Sequence, residues 1–348
     1  MRVLFSKRDS GSYWRAVSSS SGPIRVSRVF CIFFMSYVHL HFFGLDLYGS
    51  ELYMAVRTIL VDVLGRSSVP LLSIISGFLA WGVFQKKRNS DVFKDRARKI
   101  LVPMIVWNSI GAFLLFLKSE APQGVELING VFALAGPGVY THLDFLRDIY
   151  VMTLITPFLV FFAKRMPLLL AGFSILLCFY NFDIYIVFRN QIFIFYVVGV
   201  FFALYRVEFV VGGLFVGVSL ILIFASVSAI ALAELYGCFS VDYYYDNFFR
   251  RPFMVVLSWF LCVWISRGPL NRFFEFLERY VFSFFLSHVF LFTLMGAIFY
   301  RVEFLHGKMA YALFWLVSPL LAYVLVVMVR IFWARLFRRK NLVVQSAE

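Results

Sequence analysis

Long, mostly apolar runs recur along the whole chain, near 26–47, 67–85, 100–118, 145–163, 167–182, 190–205, 209–233, 252–267, 280–299 and 309–333. A helix of ~20 such residues crosses the hydrocarbon core of a bilayer, where a backbone without water must bond to itself. The spacing therefore predicts an all-α polytopic membrane protein, a single bundle of about ten transmembrane helices. The runs 167–182 and 190–205 are short for a full crossing, and 48–66 is a candidate interfacial helix. Composition agrees: 62% of the 348 residues are hydrophobic and only 15% charged, which excludes an ordinary soluble domain. The 45 Phe and 18 Tyr suit lipid contact, bundle packing and the interfacial belts, and require no special function.

A formal net charge of +14 raises the question of nucleic acid. The basic residues instead form short clusters between apolar runs: 86–99, Lys164 and Arg165, Arg206, the segment with Arg267, Arg272 and Arg279, and the tail 335–340. That is the distribution of cytoplasmic loops, so nucleic acid is excluded as a partner and both termini are predicted cytoplasmic. Residues 1–24 read as a basic, Ser-rich cytoplasmic tail rather than a signal peptide, 25–334 as one membrane domain, and 335–348 as a basic cytoplasmic tail. Cys31, Cys178, Cys238 and Cys262 are dispersed without a CxxC pair, which indicates packing residues and neither a disulfide framework nor a metal site.

The first run, RVSRVFCIFFMSYVHLHFF (25–43), carries ionisable groups where hydrocarbon makes them costly. Arg28 and His39 are eleven positions apart, which brings them within ~20° of one face at depths differing by ~16 Å. His41 points nearly the opposite way, so the two histidines are not a metal pair. Two readings of Arg28 stand: a snorkelling interface anchor, or a group at the cytoplasmic mouth that holds an anion. His39 is either a hydrogen-bonding group within the bundle or a base that takes a proton from a hydroxyl.

Arginine and histidine at this spacing resemble the R-x10-H signature of the membrane acyltransferase-3 family. Further segments resemble that family's motifs in order. RSSVPLLSIISGFLAW (66–81) is similar to its VPLFFxLSGFL helix, FKDRARKILVP (93–103) to its basic loop, and THLDFLRDIYVMTLITPFL (141–159) to its HLWFLRDLxxxxLLxP stretch. FRNQIFIFYVVGVFFALYR (188–206) and YVFSFFLSHVFLF (280–292) resemble its later helices. Lys99 stands where the family more often has arginine, and Asp144 replaces the usual tryptophan.

The resemblance implies an integral membrane O-acyltransferase of the bacterial inner membrane. Its donor would be cytoplasmic acetyl-CoA or another acyl-CoA, with no metal, and its acceptor a hydroxyl of a surface or secreted glycan or its lipid-linked oligosaccharide precursor. Arg28, Arg96, Arg98 and Lys99 would then hold the nucleotide phosphates at the cytoplasmic side, and His39 would act as general base or as covalent acyl carrier. His142 and His288 are candidate substrate-binding groups or bundle hydrogen-bonders, and Arg66 faces the acceptor or anchors the interface. Ser76 and Gly77 suit close helix contact more than nucleophilic chemistry, and His306 reads as solvated. The rival class is a transporter or lipid-linked sugar flippase with Arg28 on an anionic substrate and His39 in a proton relay. The chain shows no inverted repeat in its favour.

Overall fold

The structure is a computed structural model that describes residues 10–40, 51–117, 123–180, 189–205, 214–238, 240, 249–299, 301–302 and 308–345. These residues are helical apart from short connections, with no strand among them. The helices are α1 (Ser10–Val38), α2 (Glu51–Lys86), α3 (Asn89–Leu117), α4 (Gly124–Phe132), α5 (Asp144–Arg165) and α6 (Pro167–Tyr180). They continue as α7 (Asn190–Tyr205), α8 (Leu214–Leu235), α9 (Arg251–Arg267), α10 (Asn271–Phe299) and α11 (Lys308–Gln345). Six helical stretches among the described residues are long and apolar enough to cross a membrane, and the chain is a multi-pass integral membrane protein.

The described part of each apolar run falls largely on one of these helices, six of which are long and apolar enough to cross where about ten spans were expected. The stretch 48–66 does not form a separate interfacial helix: from Glu51 it is continuous with the second span. Its residues Ile59–Gly65 wind as a π-helical segment, as do Ala97–Leu101 in the basic part of α3. Apolar Leu60, Val61, Val63 and Leu64 keep that stretch inside the bundle. A helix that the apolar runs did not predict, α4, lies between α3 and α5. Cys31 and Cys262 are buried, as packing residues should be, whereas Cys238 is exposed beyond α8. His41 and His306 lie outside the described residues.

The tightest helix contact joins α2 to α7. A Cβ on Gly77 would fall on the carbonyl oxygen of Tyr196, and a Cβ on Gly199 on the carbonyl oxygen of Ile74. The two backbones therefore meet through reciprocal glycines, the close approach that small residues permit in membrane bundles. Next to this seam the hydroxyls of Thr156 on α5 and Tyr196 on α7 are 2.7 Å apart.

Two contacts set the direction of α1 against α10. Arg28 pairs with Glu278 at 2.9 Å, and the His39 ring lies 5.4 Å from that of His288. The two helices thus run parallel, with about 16 Å of helical rise between the ion pair and the histidines. On α2, Gly65 abuts Val38 at the far end of α1, so Lys86 returns to the Arg28 end. Lys87 and Lys99, both bonded to Asp95 at 3.3 and 3.0 Å, follow there. One end of the bundle is consequently basic, and the histidines sit towards the other.

Candidate active site

His39 is the first residue beyond α1, its backbone N–H donating to the Ser36 carbonyl at 3.1 Å as the helix winds down. That end of α1 is pinned by Tyr37, whose hydroxyl donates to the Leu316 carbonyl at 2.7 Å and whose ring packs 5.2 Å from Trp315. The placement of His39 thus depends on α11 as well as on α1.

His142 arrives from a different element, the turn Thr141–Leu143 that leads into α5. A short segment between α4 and α5 holds that turn by polar clamps. Ala133 ends α4 in the left-handed region (φ 49). Buried Asn108 on α3 then bridges the segment, donating to the Val131 carbonyl at 3.1 Å and accepting from Tyr140 N–H at 3.1 Å. Asp144 accepts from Gly138 N–H at 2.9 Å, and a Cβ on Gly138 would press on the Asn108 amide. The aspartate that departs from the family pattern is therefore the group that ties down the turn carrying His142. Asn108→Ala removes both bonds and leaves the Tyr140 N–H unpaired, so a loss of about 1–3 kcal/mol is expected in thermal unfolding of the purified protein. An unchanged melting temperature would show that the clamp holds nothing.

His288 lies on α10, fully buried between the rings of Phe284, Phe285 and Phe292. Its Nδ1 is 2.8 Å from the Phe285 carbonyl. A carbonyl only accepts, so this bond places the proton on Nδ1 and leaves Nε2 of the neutral ring with a free lone pair. The Nε2 atoms of His288 and of His142 are both buried without a hydrogen-bond partner.

The three histidines that the sequence offered separately converge. Ring centroids lie 4.6 Å apart for His142 and His288, 5.4 Å for His39 and His288, and 5.6 Å for His39 and His142. His39 is half-buried, and the other two are inside the bundle. Unpartnered polar atoms in an apolar interior are costly and call for a ligand. Among the described residues, no three His, Cys, Asp or Glu side chains are grouped so as to hold a metal ion, this trio included. The chemistry on offer is acid–base or nucleophilic imidazole chemistry on a polar group admitted between the rings.

The remaining candidates do not join the trio. Arg28 is partly exposed and donates to Glu278, Arg66 pairs with Asp62 at 2.9 Å within α2, and Lys99 pairs with Asp95. Arg96 is half-buried and Arg98 exposed, both at the basic end. Ser76 donates its hydroxyl to the Leu72 carbonyl at 2.8 Å, which occupies the proton a nucleophile would have to give up. Sequence reasoning missed Glu278 and Asn108. It also missed the buried Arg147–Asp148 pair (2.8 Å) at the start of α5, although the RD dipeptide in an apolar span was a visible signal. An apolar cavity of about 430 Å³ opens between α1, α2, α7 and α9, lined by residues such as Ile24, Ile75, Phe195 and Trp259, and includes none of the histidines.

A family model described as an acyltransferase domain matches residues 24–338, which contain the whole trio and the basic end. The chain is also 29% identical over 131 residues to the succinoglycan biosynthesis protein ExoH of Rhizobium meliloti (strain 1021). That match covers 32% of this chain and 34% of the relative, so it spans about a third of the relative's length. No solved structure matches.

Proposed function

The chain belongs to the acyltransferase-3 family, and from that premise we propose that it is an O-acyltransferase, moving an acetyl group from cytoplasmic acyl-CoA to a hydroxyl of an exported polysaccharide or its lipid-linked precursor. The observation that carries this reading is the convergence of His39, His142 and His288 about 16 Å of helix away from a basic end. The similarity to a succinoglycan biosynthesis protein supports a polysaccharide acceptor. Residues 25–334 form the catalytic membrane domain, and the basic end faces the cytoplasm of a bacterium whose inner membrane holds the protein.

Acyl-CoA carries phosphates at one end and its thioester at the other. Arg96 and Arg98 hold the phosphates. Arg28 gives one of its five N–H groups to Glu278 and has others to give, and Lys99 contributes charge beside Asp95. The long pantetheine arm then reaches up the bundle to the histidines. In the direct version an imidazole Nε2 takes the proton of the acceptor hydroxyl as its oxygen attacks the thioester carbonyl; the C–S bond breaks and the thiolate receives the proton. In the covalent version the His39 imidazole attacks the thioester carbonyl, the C–S bond breaks and the thiolate takes the ring N–H proton; the acceptor oxygen then attacks the acyl-imidazole, and its proton returns to the imidazole as the C–N bond breaks. His142 and His288 contact the acceptor from the opposite side, and Arg66 lines its approach.

Mass spectra of surface polysaccharides from cells with the gene intact, deleted and restored as His39→Ala test the reading. Loss of one acyl group per repeat unit in both altered strains is the expected result. Unchanged glycans, together with no thermal stabilisation of the purified protein by CoA, would instead favour transport, since a ligand that prefers the folded state must raise its apparent stability.

A further inference from the structure

The same turns of α10 whose glutamates bind α1 also border a second, uncompensated basic cleft. Glu275 and Glu278 are engaged by Arg25 at 3.2 Å and by Arg28 at 2.9 Å. Arg279, beside them, turns instead to an open cavity of about 640 Å³ between α10 and α11, where it meets Tyr280, Arg330, Trp333 and Arg335. The two helices are held in register here by the Tyr323 hydroxyl, which donates to the Leu277 carbonyl at 2.6 Å. None of the three arginines forms an ion pair with any described residue. All three are exposed.

A snorkelling arginine needs only water. Three of them from two helices around one concavity, with no carboxylate among them, present a fork of donors matched to a phosphate. The walls identify the rest of the ligand. Tyr280 and Trp333 are the amphipathic aromatics of a headgroup belt, and between the arginines Ile331 and Ala334 complete an apolar lining. A soluble polyphosphate has no use for that apolar wall, whereas the acyl chains of a lipid lie along it.

We propose that the cleft between α10 and α11 is a binding site for an anionic phospholipid, its phosphate held by Arg279, Arg330 and Arg335 and its chains leaving the cleft along Tyr280, Ile331 and Trp333. The site is separate from the proposed acyl-CoA residues and does not depend on the acyltransferase reading. A bound lipid bridges α11, which pins the end of α1, to α10, which carries His288.

Native mass spectrometry of the full-length protein, released from micelles supplied with equal phosphatidylglycerol and phosphatidylcholine, tests it. Wild type is expected to retain phosphatidylglycerol preferentially. Arg279→Gln, Arg330→Gln and Arg335→Gln are each expected to lower that preference about fivefold, and the triple variant to abolish it. A triple variant of equal charge loss, Arg88→Gln, Lys94→Gln and Arg165→Gln, is expected to keep it. Equal retention by wild type and the cleft variants would overturn the proposal, as would equal loss in the control variant. Displacement of the lipid from wild type by millimolar pyrophosphate would assign the cleft to a free polyphosphate and overturn the lipid assignment. Should the triple variant fail to fold, the single substitutions carry the test.

Discussion

His39→Ala is expected to lower the rate of acyl transfer by about 10²–10⁴-fold, the range over which a positioned general base contributes, while leaving CoA-induced thermal stabilisation intact. The two readouts separate chemistry from donor binding, because the residues proposed to hold the donor, Arg28, Arg96, Arg98 and Lys99, lie at the other end of the bundle. His39 should show the largest effect of the three histidines. It is the half-buried member, on the face it shares with Arg28, and so the one an incoming thioester meets first. His288→Phe fills the same aromatic cage of Phe284, Phe285 and Phe292. It is expected to fold normally and to slow transfer by a smaller factor, through loss of the unpartnered Nε2. Rapid quench with labelled acyl-CoA and no acceptor then divides the two mechanisms. Label on a His39 peptide means covalent carriage, and its absence alongside normal turnover means direct attack. Wild-type transfer by His39→Ala would eliminate both.

The class of fold was legible because hydrocarbon imposes a length on every span, and the apolar runs could be counted against it. The alignment of Arg28 with His39 was legible for a related reason: Arg28 lies on α1 and His39 directly follows its last residue, so 100° per residue still sets which face they share. Nothing local says that His142 and His288 join them. His142 sits in a turn held by Asn108 across 32 and 23 residues of sequence, and His288 meets His39 only because α1 and α10 run parallel. These are facts of tertiary packing, carried by no period or motif. Glu278 was hidden likewise, its partner Arg28 lying 250 positions away. The effect on function is direct, since Arg28 reads from sequence as a bare cation and is in the structure one half of an ion pair. Ser76–Gly77 shows the intermediate case. The small residues announced a close helix contact, but the identity of the other wall, Gly199, required the fold.

Gly77→Val and Gly199→Val are each expected to destabilise the protein by about 3 kcal/mol or more, above the usual cost of one extra core methylene. The reason is what the new atoms meet. Overpacked side chains elsewhere relax by rotating a neighbour, but a Cβ at Gly77 lands on the Tyr196 carbonyl and one at Gly199 on the Ile74 carbonyl. Backbone in the middle of a hydrogen-bonded helix has no rotamer to change, so α2 and α7 must separate as rigid bodies. That movement spreads, because α2 also packs on α1 where Gly65 abuts Val38, the residue before His39. The expected readout is a loss of monodisperse folded protein in size-exclusion chromatography and a lowered melting temperature. Activity should fall in proportion to the folded fraction lost. Gly172→Ala, where nothing lies within 4 Å of the new Cβ, is the matched control and should stay within about 0.5 kcal/mol of wild type, apart from the helix-propensity gain of alanine. If Gly77→Val melted like Gly172→Ala, the reciprocal glycine seam would not be what sets the distance between α2 and α7.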